Sequence, residues 1–359
     1  MLISTFTEQV ALRQPLSIAG RTLAGQQVLR VSARYRGWAA EAEAAGVFYR
    51  GESGATMQKQ ILASLPDMPC DLAGMWQSVQ QMPVGGARNA LDWILWQLEA
   101  GLRGMPVYRL AHQPAPRARV TMVTLGADTP AAMAAMAISY PAARALKLKL
   151  DGSSDDAVRV AAVRKARPDV SLSVDANEGW TMAHLDGIMG KLLEHRVELI
   201  EQPLPAKQDA ALDHYRSPIP LAADESLQTQ DELEQVAQRY QVVNIKLDKC
   251  GGLTAALPLA SAARRLGMRV MVGCMGGRSM ALLPAFIVAQ EADLVDLDAP
   301  LLMATDNQPS ARYLDGCIDF DAGAYTLAAP AASATSATSA KSATPALLTT
   351  YPQAQHASA

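Results

Sequence analysis

Residues 145–298 contain a row of short apolar runs, nearly all of which end on a charge: ALKLKL (145–150, with Lys149), SLSVD (171–175), VELIE (197–201), IPLAAD (219–224), VVNIK (242–246) and LVDLD (294–298). The charged residues Lys149, Asp175, Glu201, Asp224 and Lys246 follow one another at intervals of 26, 26, 23 and 22 residues. That interval is the length of one strand, a helical crossover and a return loop in a parallel α/β fold. A chain that places an ionisable residue at the end of strand after strand is assembling one site.

Working outward, strands are expected at 120–124, 146–150, 171–175, 198–201, 220–224, 242–247, 269–273 and 294–298, with a helix at 129–139 after the first. Eight such units fit a TIM-type (β/α) barrel, whose active site forms at the carboxyl ends of its strands. An open doubly wound sheet is the alternative, but the early glycine-rich phosphate turn of that fold is missing. Residues 1–115 read as a small α+β domain: strand-like runs at 2–12, 27–36 and before Gly46, a polar loop at 47–53, then helices. Leu91, Ile94, Leu95, Leu98 and Leu102 form an apolar stripe at helical spacing. The barrel is expected over 116–327. The tail, 328–359, is rich in Ala, Ser, Thr and Pro and reads as disordered.

Composition sets the class. Of the 359 residues 50% are hydrophobic and 19% charged, with a net charge of −3, so nothing invites nucleic acid or an anionic membrane. No apolar run is long enough to span a bilayer, and the first residues lack a signal-peptide pattern. Cys70, Cys250, Cys274 and Cys317 form no C-x-x-C pair and read as buried thiols of a reducing, cytoplasmic compartment. A homo-oligomer is left open.

Counting strands gives the geometry of the site. Lys149 lies on the second strand and Lys246 on the sixth, which face each other across a ring of eight. Asp175, Glu201 and Asp224 lie side by side between them, and three hard oxygen ligands suit Mg²⁺. Lys147 and Lys149 are two apart and point the same way, so each is expected to lower the other's pKa and leave one usable as a base. Asp248 is expected to share a face with Lys246. A metal that chelates a carboxylate stabilises the enediolate formed when the adjacent α-proton leaves. Two opposed bases then permit inversion, whereas elimination needs only one. Asp296 and Asp298 suit an ammonium group, or are solvated acids or salt-bridge partners. Arg21, in a glycine-bearing stretch between strands (18–25), is a loop cation that either meets a second carboxylate or stays in solvent.

The blocks LKLKLD, VDANEGW, IEQPLP, ADES, NIKLDKCGGL and GCM, in that order, resemble the enolase superfamily and its muconate-lactonizing subgroup. The resemblance covers roughly residues 1–325 and includes GGARNALDWILWQL. With the D-x-D of VDLDAPLL, the chain looks like the dipeptide epimerases, the L-Ala-D/L-Glu epimerases of murein peptide recycling foremost. The resemblance implies a barrel beneath an N-terminal capping domain, Mg²⁺ on Asp175, Glu201 and Asp224, and acid/base roles for Lys149 and Lys246 but not Lys249. It further implies that Lys147 contacts the substrate carboxylate, that Asp296 and Asp298 hold the α-ammonium of a small dipeptide, that Arg21 anchors its glutamate side chain, and that Asn177 and Glu225 support the metal ligands. Gly276 and Gly277 stand where many relatives carry a glutamate. On the same scaffold the alternatives are an o-succinylbenzoate synthase-like lyase, a cycloisomerase or an N-acylamino acid racemase.

Overall fold

The computed structural model describes residues 1–18 and 20–328. The expectation of a disordered tail falls, from residue 329 on, outside the described residues. The chain begins with three antiparallel strands, β1 (Leu2–Ile18), β2 (Arg21–Tyr35) and β3 (Trp38–Ala44), in the order β1-β2-β3. Helices α1 (Gly54–Ser64), α2 (Leu72–Gln81), α3 (Gly86–Leu102) and α4 (Val107–Leu110) follow. The stretch read as a loop between strands is instead the end of a long hairpin: Ser17 pairs with Thr22 and Ile18 with Arg21. Likewise, residues 48–50 of the expected polar loop form a 3₁₀ turn that leads into α1, whose Ser53 and Thr56 make a capping box.

Next come β4 (Arg119–Val120), β5 (Met122–Leu125), α5 (Pro130–Ser139), β6 (Ala145–Lys149), α6 (Asp156–Ala166), β7 (Ser171–Asp175), α7 (Met182–Glu194), β8 (Leu199–Glu201), β9 (Leu221–Ala223) and α8 (Leu233–Val236). Then follow β10 (Val242–Lys246), α9 (Leu247–Cys250), α10 (Leu253–Arg265), β11 (Arg269–Gly273), α11 (Ser279–Ala289), β12 (Leu294–Asp296) and α12 (Ala299–Leu302). The short strands β13 (Arg312–Leu314) and β14 (Cys317–Asp319) end the series, β14 pairing with β4. β5 to β12 form one parallel eight-stranded sheet in sequential order. Its end strands meet through side chains: Leu297 N donates to Thr121 Oγ1 at 3.0 Å, and Thr124 N to Asp298 Oδ2 at 2.5 Å. This nearly closed ring beneath an N-terminal antiparallel sheet is the TIM-type barrel with a capping domain.

The period of two along each strand explains what faces where. Outward residues such as Leu146, Leu148, Val174, Ile245 and Val272 are buried against the surrounding helices. Inward residues Met122, Ala145, Leu199, Ala222, Val242 and Met271 fill the lower interior as an apolar plug. One or two inward positions further along come Lys147, Lys149, Asp175, Glu201, Asp224 and Lys246, so the mouth is charged and the floor is dry. The same alternation therefore builds both the core and the site.

Some expectations are corrected. Cys70 is exposed, not buried, because it lies in the turn before α2. α3 is buried on more than its leucine stripe, and Leu102 at its end is exposed. Its second face carries Asn89, Asp92 and Trp96 and packs on the barrel rather than on solvent. Among the described residues, no helix is long and apolar enough to cross a membrane.

Thr121 is buried and takes the Leu297 N–H across the seam of the ring. Thr121→Val leaves that N–H without an acceptor, at a cost of about 1–3 kcal/mol. Urea unfolding should show the midpoint fall with an unchanged slope.

Candidate active site

The second, third and fourth barrel strands bring their end residues into one register: Lys149 lies beside Asp175, and Asp175 beside Glu201. Asp224 follows the last residue of β9, and Lys246 is level with Gly273 and Asp296 on the far wall. β6 and β10 are four strands apart in a ring of eight, so the two lysines do face each other. All of these side chains are buried.

The charges answer one another. Lys149 Nζ donates to Asp175 Oδ2 at 2.5 Å. Lys147 Nζ lies 3.0 Å from Asp175 Oδ2, 2.7 Å from Glu201 Oε2 and 2.9 Å from Asp296 Oδ2. Lys246 Nζ donates to Asp224 Oδ2 at 2.7 Å. Lys249 takes the other oxygen: its Nζ donates to Asp224 Oδ1 at 2.7 Å, to Asp224 O at 2.6 Å and to Asn244 O at 2.9 Å. Asn244 Nδ2 donates to Glu201 Oε1 at 2.9 Å, while Gln202 Oε1 accepts from Asp224 N at 2.9 Å.

The pKa values follow from burial set against these neighbours. Burial alone would lower Lys147, but Asp175, Asp296 and Glu201 raise it well above the ordinary lysine value. The expectation that Lys147 and Lys149 depress each other is therefore corrected for Lys147: it counted the ammonium groups and left out the carboxylates around them. Burial and Lys147 act to lower Lys246, but Asp224, Glu201 and Glu225 together raise its pKa. Burial opposes, but Lys246, Lys249 and Lys147 hold Asp224 well below the carboxylate range. Burial and the Asp175 charge raise Glu201. Burial, with Asp224 and Asp175, pushes Glu225 up to about 8.

Two further placements differ from expectation. Asp248 does not share a face with Lys246, because β10 ends there and the chain turns into α9. Asp298 lies past the end of β12 as the residue before α12, with helical backbone angles. One carboxylate of the D-x-D thus reaches Lys147, and the other caps Thr124 N. Burial and the Asp296 charge push Asp298 up to about 6. Asn177 Nδ2 donates to Glu225 Oε1 at 3.2 Å, joining the two residues expected behind the metal ligands. Arg21 opens β2 at the exposed hairpin tip, and the adjacent Ser17 O accepts from Ala127 N beyond the first barrel strand. The hairpin thus rests against the rim of the barrel beside its first strand. At the glycine pair after the GCM block, Gly277 N donates to Gln26 Oε1 of the cap at 3.1 Å. Arg278 next to it pairs with Glu8 and Glu43.

Asn244, Gln202 and Tyr49 are the residues that sequence reasoning missed; it named Lys249 only to set it aside as an acid/base. Asn244 was legible, since it lies two before Lys246 on the same face. Gln202 follows Glu201 with φ +37° and braces Asp224 N, Ser226 and Tyr240. Tyr49 comes from the cap, where its hydroxyl accepts from Gln228 Nε2 at 3.1 Å. Gly273 leaves room for Asn244 and Lys246: a Cβ there would lie 2.7 Å from Asn244 Oδ1 and 3.2 Å from Lys246 Cε.

The donor set fits a hard cation. Among the described residues no three His, Cys, Asp or Glu side chains converge on one point as they stand; lysine ammonium groups lie between them. Yet Glu201 Oε2, Glu225 Oε2, Asn177 Oδ1, Asn244 Oδ1 and Asp296 Oδ1 are buried acceptors without a hydrogen-bond donor. Glu201 Oε2 is near Lys147 but off its hydrogen-bond direction. Buried oxygens short of donors are what a cation satisfies.

Fold and site together define a barrel enzyme with opposed lysines about a carboxylate triad. The chain belongs to the enolase superfamily: the family model described as enolase C-terminal domain-like matches residues 130–324. It is 36% identical to an L-Ala-D/L-Glu epimerase from Escherichia coli strain K12 over 317 residues, 88% of this chain and 98% of the relative. It is 41% identical to an N-acetyl-D-glutamate racemase from a Pseudoalteromonas species over 269 residues, 74% of this chain and 84% of the relative. A dipeptide epimerase structure from Methylococcus capsulatus, complexed with Mg and the dipeptide L-Arg-D-Lys, superposes with a TM-score of 0.81 at 26% identity, covering 88% of this chain and 96% of that one. Relatives that are epimerases and racemases make this chain an isomerase acting on amino acid derivatives.

Lys249 is fully hydrogen-bonded in the interior. Lys249→Met strands one oxygen of Asp224 and two carbonyls, and breaking such a pair costs about 3–5 kcal/mol. A drop of that size in chemical denaturation is the expected outcome.

Proposed function

We propose that the chain is a Mg²⁺-dependent epimerase of small dipeptides, L-Ala-D/L-Glu foremost, inverting the α-carbon of the second residue. The observation that carries this reading is the pair Lys149 and Lys246 on opposite walls with three carboxylates between them. Asp175, Glu201 and Asp224 would hold the ion, which when bound supplies positive charge to the substrate carboxylate as its α-proton leaves. Lys149 exchanges a proton with one face of the α-carbon and Lys246 with the other, so removal at one face and return at the other inverts the centre. Lys147, held charged by its neighbours, is suited to bind the substrate carboxylate rather than to take a proton. Asp296 and Asp298 receive the α-ammonium of the first residue, Arg21 the glutamate side chain, and Asn177 and Glu225 steady the ligands. A cytoplasmic place in murein peptide recycling goes with that substrate.

The identity to an N-acetyl-D-glutamate racemase supports a second reading, racemisation of an N-acylated amino acid. Both substrates present an acylated glutamate to the lysines and differ in the ammonium that Asp296 and Asp298 would receive. A lyase or cycloisomerase would need only one of the two lysines.

Incubation in D₂O separates these readings. L-Ala-L-Glu with Mg²⁺ should gain deuterium at the glutamate α-carbon, invert, and do so faster than N-acetyl-L-glutamate. The opposite ranking moves the assignment to the racemase, and no exchange in either substrate removes both. Lys246→Ala should abolish inversion while exchange at the Lys149 face persists; epimerisation surviving in this variant would end the two-base reading. Full chelation by EDTA should silence the enzyme, with Mg²⁺ restoring it.

A further inference from the structure

The second face of α3 is unusually polar for a buried helix surface. Asn89 is 4% exposed and Asp92 fully buried, and both face the loop that follows Lys246. Asn89 Nδ2 donates to Asp248 Oδ1 at 2.8 Å, and the backbone of Ala45 and Gly46, just past β3, also bonds to that carboxylate. In the other direction, Asp92 Oδ2 accepts from Thr254 N at 3.1 Å, and Asp92 Oδ1 from Gln80 Nε2 at 2.9 Å. The residue before α10, Gly252, has no side chain to cap that helix, and with φ +120° a Cβ there would lie 2.5 Å from Asp92 Oδ2. The capping domain therefore supplies a helix cap that the barrel lacks. Trp96 Nε1 donates to Thr254 Oγ1 at 2.9 Å as well.

We infer that Asn89 and Asp92 are positioning residues for Lys246. Each domain sends one carboxylate into donors of the other, and the two contacts bracket the segment 248–254 immediately after the lysine. The loop after Lys149 is braced differently, from within the barrel: Asp156 accepts from Asp151 N at 3.3 Å and Gly152 N at 3.0 Å, and from Trp180 Nε1 at 2.9 Å. The seating of the cap thus sets the reach of one lysine and not of the other. This inference rests on the epimerase reading for its consequence, though not for its structural content.

The test is Asn89→Leu, which keeps bulk and removes the donor to Asp248. α-Proton exchange in D₂O is measured separately for L-Ala-L-Glu and L-Ala-D-Glu. Misplacing one base should slow exchange of the epimer whose proton faces Lys246 by about 10- to 100-fold. The other epimer should keep its rate within about twofold, well below that loss. A merely loosened fold lowers both rates together, and that result, or no change in the ratio, overturns the inference. Amide hydrogen exchange by mass spectrometry gives a reading independent of the reaction. Peptides spanning 247–254 should exchange faster in the variant while 150–156 stays as in the parent; unchanged protection at 247–254 also overturns it. If the parent enzyme exchanges neither epimer, the functional reading fails and the amide measurement alone decides. Should Asn89→Leu not fold, Asp92→Asn, which keeps shape and loses charge, is measured in the same way.

Discussion

A buried charge must be answered, and most of this structure follows from that one requirement. Four lysines and at least four carboxylates lie inside the mouth of the barrel, where an unpaired ion costs several kcal/mol. Each is met within hydrogen-bond reach: Lys149 by Asp175, Lys246 and Lys249 by the two oxygens of Asp224, and Lys147 by Asp175, Glu201 and Asp296. Such pairing works only if neighbouring strands keep register to a residue, because a slip of one turns every inward charge outward. The apolar plug beneath, from Met122 to Met271, enforces that register from below.

The network also divides labour among like residues. Lys249 spends all its donors on Asp224 and Asn244 and is therefore structural, although it lies three residues from Lys246. Lys147 is shared by three carboxylates, which holds it cationic. Lys149 and Lys246 each meet one carboxylate oxygen and remain at the mouth. On the proposed reading, chemical role is set by how many partners an ammonium has.

The cap is a working part of this arrangement. Its hairpin reaches beyond the first strand, Gln26 grips the seventh-strand loop, and α3 holds the segment after the sixth. Arg278, paired with Glu8 and Glu43, fastens the same side. A domain that only covered the barrel would not need to bury Asn89, Asp92 and Glu43 at the seam.

The sequence alone determined the strand-ends with their charges, hence the barrel, the opposed lysines and the triad between them. Those follow from the period of two and the length of a crossover, which are local properties of the chain. It also carried the family pattern. What it misread were contacts that depend on how the chain leaves a strand. Asp248 swings into the cap because β10 stops at Lys246, and Asp298 caps Thr124 because β12 stops at Asp296. The direction of the Lys147 pKa shift likewise needed neighbours from three other strands. The extent of the hairpin bearing Arg21 was hidden because residues 13–17 break the alternation on which a strand is recognised. Local pattern decides which face a residue is on; only the tertiary structure decides which partner waits there, because that partner comes from a distant part of the chain.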